Sequence, residues 1–271
     1  MMGRRMMGRR MIRILKLVGA FWGNSLALDL EYRFDFLLSA VTALFAAGAG
    51  LLVLHVMFSY AQDLGGWSFH QALALYGIYL LLEEFASGFL TYNMGEMPEL
   101  IRRGDLDFIL MKPASSQLQV SIRHFRIVGV PAYLLGFGIL GFAMVEMGTL
   151  TPRNVLLLVA FLTCAMLTVY AIWTMLHTLA FWLVRIENLS QIFFAVFKVA
   201  RFPIGAFPGP MQVVFTVVIP IAFMTTVPAS VAAGILDWRF AVAAPLIALL
   251  GLWLSHRFWQ FALRHYTSAS S

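Results

Sequence analysis

Long apolar runs separated by short polar turns make up most of the chain. Each run approaches or exceeds the roughly 20 residues that a helix needs to cross the hydrocarbon core of a bilayer. The apolar residues within a run are nearly continuous, which is typical of membrane-spanning segments. The pattern therefore predicts an all-α polytopic membrane protein. The clearest runs cover residues 34–60, 69–92, 127–147, 155–184 and 240–256.

Residues 192–236 are also apolar, but five prolines interrupt them, and each proline removes a backbone N–H donor and favours a break. One arrangement has a span over 192–207 followed by a re-entrant pair of half-helices over 208–234. The other has a surface helix over 188–201 and one full span over 211–233. Either arrangement brings the total to six transmembrane helices. The prolines are Pro203, Pro208, Pro210, Pro220 and Pro228.

The first 30 residues differ from the rest. Residues 1–10 contain the repeat MMGRR twice and are predicted to be a basic disordered tail. Over 11–30, apolar residues recur at three- and four-residue spacing, with Arg13 and Lys16 on the other side. This pattern predicts a helix that lies in the membrane interface with its basic side toward the lipid headgroups. Residues 11–271 then form a single membrane domain.

Composition supports the membrane class. The mean hydropathy is +0.83 and only 12% of the residues are charged, which is not the profile of a soluble globular protein. Cys164 is the only cysteine, so the chain forms no intrachain disulfide and no thiolate metal cage.

The distribution of basic residues predicts the orientation. Seven Lys and Arg residues lie in 1–33 and five lie in 93–126, whereas the turns on the other side hold only Arg153 and Arg239. Because basic loops stay on the cytoplasmic side, the N-terminus, the loop over 93–126 and the C-terminus are predicted to be cytoplasmic.

The loop over 93–126 contains the signals of a short helix. Pro98 suits a first helical turn, where the missing N–H has no partner in any case. Glu99 complements the positive end of the helix dipole, the basic pair Arg102 and Arg103 complements the negative end, and Gly104 suits the left-handed position that ends a helix. These signals predict a helix of about two turns, isolated between two spans. It serves either as a docking element for a partner or as a solvated turn.

Two stretches resemble a known family. ELIRRGDLDFILMKP (99–113) is similar to the loop after the second span in permease subunits of type-2 ATP-binding-cassette exporters, in the branch related to daunorubicin-resistance permeases. RFPIGAFPGPMQVVFTVVIPIAFMTTVPA (201–229) resembles the late proline-rich segment of that branch. The resemblance extends over nearly the whole chain and implies re-entrant helices within 203–234.

The resemblance also implies partners. The loop helix of such permeases is a coupling helix that docks on a dimer of ATPase subunits, which would carry the ATP and Mg²⁺. The permease would pair with a second copy or a related permease in the inner membrane of a prokaryote, with no role for nucleic acid. The residues expected to couple to the ATPase are Glu99, Leu100, Arg102, Arg103, Asp105 and Asp107.

The chain itself contains no motif for nucleotide chemistry. It has no G-x-x-x-x-G-K-[ST] sequence to hold ATP phosphates and no H-E-x-x-H or G-x-S-x-G sequence. We therefore expect no catalytic, cofactor or metal site in this chain. We also expect that the chain is not itself an enzyme and depends on a separate ATPase.

Glu83 and Glu84 lie inside the second apolar run. Acidic residues within a membrane are costly and usually face a cavity or a partner. A cationic amphiphile is one candidate counter-ion. The alternative is a structural position, either paired with a basic residue of the interfacial helix or near the headgroups.

Tyr170, Trp173 and His177 occupy one face of the fourth span at three- and four-residue spacing. They are candidates for lining the route of an aromatic cargo. A packed, hydrogen-bonded helix interface is the alternative.

The favoured function is export of a small amphiphilic molecule, whether drug-like, lipid-like or peptide, driven by ATP hydrolysis. Two hypotheses compete with it. One is a secondary transporter driven by protons through Glu83 and Glu84, and the other is a membrane scaffold that transports nothing.

Overall fold

The computed structural model describes residues 33–113, 115–124, 126–183 and 187–266. These residues are mostly helical, and among them there is no β-strand, only an isolated bridge between Leu64 and Trp67. The predicted tail over 1–10 and the interfacial helix over 11–30 lie outside the described residues.

The apolar runs become helices with short connections. We number them α1 Arg33–Tyr60, α2 Phe69–Glu84, α3 Met97–Arg103, α4 Leu106–Leu110, α5 Ser116–Ser121, α6 Val130–Glu146, α7 Pro152–Thr178, α8 Glu187–Phe197, α9 Gly209–Val218, α10 Ala222–Ala232 and α11 Trp238–Arg264. The π-helical stretch Phe85–Thr91 and the turn Tyr92–Met94 extend α2, and 3₁₀ turns extend α7 to Phe181 and α8 to Arg201.

Four helical segments are long and apolar enough to cross a bilayer, so this is a multi-pass membrane protein. They are Phe34–Tyr60, Phe69–Arg103, Pro152–Phe181 and Trp238–Arg264. The bent pair of α9 and α10 is a fifth candidate, whereas α6 is apolar but has only 17 residues. The predicted total of six therefore stays a prediction, because α6 is shorter than a typical span.

The proline-rich region combines features of both predicted arrangements. Helix α8 and its 3₁₀ turn end at Arg201, before Pro203, so the predicted helix end at Phe207 was wrong. The segments α9 and α10 then meet at an angle of 79°, with Pro220 in the break between them. This bend is too sharp for one straight span, and the two halves do not fold back fully on each other.

The helices give the molecule two distinct ends. At the loop end, defined by residues 95–124, α5 contacts the last turns of α11, where Trp259 Nε1 donates to Ser116 Oγ at 3.1 Å. At the opposite end, Gly65 in the turn after α1 lies against Gly205, and a Cβ on Gly65 would come within 2.1 Å of the Gly205 carbonyl carbon. Helix α8 therefore runs from near the loop end toward the opposite end.

Helix α2 is the centre of the bundle. Its residues from Ala72 to Leu82 are almost all buried, and α6, α10 and α7 pack around it. The closest approach is to α6, where Gly77 faces the backbone at Gly136 and Leu140. Small residues at such a crossing let two membrane helices approach closely and gain packing contacts.

Candidate functional site

Helix α3 has the limits that the sequence predicts. Pro98 lies in its first turn, and Gly104 ends it with a φ of 76°. The helix is not isolated, however, because only Gly95 and Glu96 separate it from the last turn of α2. Met97 is fully buried. A movement of α3 would therefore be passed directly to the central helix of the bundle.

Glu99 organises the basic end of α3. Its carboxylate accepts hydrogen bonds from Arg102 Nε at 2.9 Å and Arg102 Nη2 at 2.7 Å, and it also pairs with Arg103. Both arginine side chains stay largely exposed, at 71% and 65%. The acid thus orients two cations toward the surroundings.

The six predicted coupling residues do not share one environment. Arg102, Arg103 and Asp105 are exposed, whereas Leu100 is only 7% exposed and packs inside the loop. Asp107 is half-buried and lies close to the hydroxyl of Tyr266 after α11. Leu100 therefore supports the helix and is not on its surface.

Two residues at the loop end were not predicted. Phe108 is 68% exposed and Met111 is 81% exposed, next to the charged residues of α3. The sequence feature that could have identified them is their position in the charged loop, because an apolar side chain there is not covered by the bilayer. The loop-end surface consists of Arg102, Arg103, Asp105, Phe108 and Met111.

Asn93 closes the loop from inside. Its side chain accepts a hydrogen bond from the His124 backbone N–H at 2.6 Å and donates to the His124 carbonyl at 2.9 Å. The same amide donates to Phe89 O at 2.8 Å, and Asn93 is only 1% exposed. A single buried amide thus joins the end of α2 to the far end of the loop. The sequence carries no signal for this long-range contact.

We expect Asn93→Ala to loosen the loop. The change leaves the backbone groups of His124 without this partner, and a lost buried hydrogen-bonding group typically costs about 1–3 kcal/mol. Limited proteolysis of the purified protein should then cleave within 95–124 several times faster than in the wild type. Asn154→Ala, which alters an amide at the opposite end, is the control. Equal cleavage rates in all three proteins would contradict the role of Asn93.

The two intramembrane acids have different surroundings. Glu84 lies beside Arg126 in a polar pocket of about 280 Å³ that opens between α2 and the start of α6. Its carboxylate fills space left by Gly88 and Gly129, where an added Cβ would come within 1.8 Å and 2.2 Å of Glu84 Oε1. Among the described residues, Glu84 therefore lies next to a loop arginine. The basic residues of the predicted interfacial helix lie outside the described residues, so that pairing stays a prediction.

Glu83 lies near a different set of residues from Glu84. Its carboxylate interacts with the Tyr79 hydroxyl and electrostatically with Lys198 and Arg201 at the end of α8. The sequence did not predict this grouping, because about 115 residues separate Glu83 from its cations.

The aromatic set on α7 lies inside the bundle. Trp173 is fully buried against Phe193 and Phe194, with ring centroids 4.8 Å and 5.0 Å apart. His177 is 1% exposed and its Nδ1 lies 3.1 Å from the Trp173 carbonyl. Tyr170 bonds through its hydroxyl to Ser121 Oγ at 3.0 Å. These contacts favour the packing interpretation over a cargo route within this subunit.

The described residues contain no group of three or more His, Cys, Asp or Glu side chains that could hold a metal ion.

A sequence model described as "ABC-2 family transporter protein" matches residues 44–270, which is most of the chain. No curated protein and no solved structure gives a significant match.

Proposed function

This chain belongs to the ABC-2 family of transporter proteins, and we propose that it is the permease of an exporter whose ATPase is a separate polypeptide. Membership of the family makes it a transmembrane transport subunit.

The loop-end surface supports docking of an ATPase. It combines two oriented arginines with Phe108 and Met111, which project from a polar part of the molecule. Exposed apolar side chains beside charged ones are typical of protein interaction sites. Because α3 continues from α2, ATP-driven movement of the partner would act on the central helix without an intervening flexible linker.

We place the loop end in the cytoplasm, because the basic residues concentrate there. The ATPase dimer would hold ATP and Mg²⁺, and a second permease, identical or related, would complete the pathway. The membrane would be the inner membrane of a prokaryote. The cargo would be a small amphiphilic molecule, since the pathway has to accept it within the bilayer.

The test is purification of the tagged permease from its native membrane in mild detergent, with the ATPase activity of the eluate measured. We expect an ATPase subunit to co-purify and to hydrolyse ATP. A permease that elutes alone and inert, under conditions that keep known membrane complexes together, would contradict the proposal. Proton-driven transport through Glu83 and Glu84 would then be the next hypothesis to test.

Phe108→Ala should weaken capture of the ATPase by about tenfold, because a large side chain buried at an interface often contributes 1–2 kcal/mol or more. The amount of ATPase retained would be measured as the detergent wash is prolonged. Phe142→Ala, which truncates a comparably exposed residue on α6, should retain the wild-type amount. If the two variants retain equal amounts of the ATPase, Phe108 does not take part in binding the ATPase.

A further inference from the structure

We propose that the exposed face of α8, together with Glu83, forms a site within the membrane for the anionic head group of an amphiphile. A carboxylate or a phosphate monoester is the chemical class that fits. The site's place on a transport pathway rests on the proposed function, whereas binding at the site needs no ATPase.

Packing between α2 and α8 brings the charged residues together. The rings of Tyr79 and Phe197 stack with centroids 5.6 Å apart. Lys198 follows Phe197 directly, and Glu83 lies one helical turn after Tyr79. Lys198 and Arg201 consequently come close enough to the Glu83 carboxylate to interact with it. The site is deep, because Glu83 precedes the end of the π-helical stretch at Thr91 by roughly 12 Å of helix.

One face of α8 is open. Gln191, Ala195 and Lys198 are all exposed, and their spacing of four and three residues places them on the same side of the helix. A lysine at membrane depth costs a few kcal/mol when it faces lipid, so such residues normally border a cavity or a partner. The same side of α8 also exposes the apolar Ile192, so it is Lys198 that we expect to border a polar cavity or a partner.

The charges of the site do not balance. Two cations, Lys198 and Arg201, oppose the single carboxylate of Glu83. Glu84, the next residue on α2, does not correct the excess, because its own charge is opposed by Arg126. Counted over the residues that the structure describes, the site thus keeps one net positive charge, which attracts an anion and repels the cationic amphiphile that the sequence suggested for Glu83.

Arg201 adds hydrogen-bonding capacity. Its Nε atom is buried and has no hydrogen-bond partner among the described residues. A buried donor without a partner is costly, and a carboxylate or phosphate oxygen is the acceptor that best suits a guanidinium. The geometry thus combines an excess positive charge with an unused donor, and both point to an anionic head group.

The test is equilibrium binding to the full-length permease in nanodiscs of zwitterionic lipid. The radiolabelled probes are lauric acid, lauryl phosphate and laurylamine, at a pH where all three are charged. We expect at least one of the two anions to bind about tenfold or more tightly than the amine. The tighter of the two anions identifies the class of head group.

Variants connect the preference to the site. Lys198→Gln should remove most of the preference for the anion, Lys198→Arg should keep it, and Glu83→Gln should strengthen anion binding. Lys112→Gln removes a positive charge at the loop end and is the matched control, which should bind like the wild type. Size-exclusion profiles of all variants establish that they remain folded.

Three results would overturn the proposal: equal binding of amine and anions, an unchanged preference in Lys198→Gln, or an equal loss in Lys112→Gln. The binding assay is independent of the ATPase capture described above. If the permease binds the anions but captures no ATPase, the proposed function is refuted and the anion site stands. If it captures the ATPase but shows no preference for the anions, only the anion site is refuted.

Discussion

Reversing the charge of Arg102 and Arg103 to glutamate is expected to lower the amount of co-purifying ATPase by about 100-fold or more. Arginines at protein interfaces often contribute 2 kcal/mol or more each, and reversal replaces attraction by repulsion. The two side chains are exposed and are oriented by Glu99, so they are available to a partner and contribute little to the fold. The measurement is ATPase protein and activity in the eluate of the tagged permease.

The fold of the variant should survive. Like charges on one helical turn cost only about 0.2–0.5 kcal/mol per pair, and Met97 and Leu100 still bury the other side of α3. Arg153→Glu, at the exposed start of α7 near the opposite end, is the charge-matched control and should capture ATPase normally. Normal capture of the ATPase by the Arg102→Glu/Arg103→Glu protein would show that α3 does not take part in binding the ATPase.

Gly77→Val is expected to have the largest effect on stability. A Cβ at Gly77 would lie 2.9 Å from the Leu140 backbone nitrogen and 3.0 Å from the Gly136 carbonyl oxygen. Backbone atoms cannot rotate away as a side chain can, so α2 and α6 would have to separate. Overpacking of this kind typically costs 1–3 kcal/mol, and we expect about 3 kcal/mol here because a whole helix pair is displaced.

Thermal unfolding of the detergent-purified protein, followed by tryptophan fluorescence, measures this loss as a lower Tm. Gly138→Val is the matched control, because it lies on α6 with no atom within 4 Å of an added Cβ. The control should unfold at or slightly above the wild-type temperature, since valine is a better helix former than glycine. Similar Tm values for Gly77→Val and Gly138→Val would show that the two helices are not closely packed at Gly77.

The stretch from Pro98 to Gly104 was predictable because its signals are local. A proline that lacks an N–H, a dipole-matched acid and base, and a glycine with positive φ determine the helix limits through neighbouring backbone atoms alone. The break near Pro220 was predictable for the same reason. Its angle of 79° was not, because packing of α9 and α10 against other helices decides the angle.

The sequence by itself determined the membrane class, the main apolar spans and the short loop helix, since each depends on hydropathy or on contacts within a few residues. Only the tertiary structure decided which polar residues meet. It placed Glu83 with Lys198 and Arg201, placed Glu84 with Arg126, and buried Trp173, His177 and Leu100. Which side of a helix is covered, and by what, depends on partners far away along the chain. An apolar or charged residue looks the same in the sequence whether it faces lipid, a cavity or another helix.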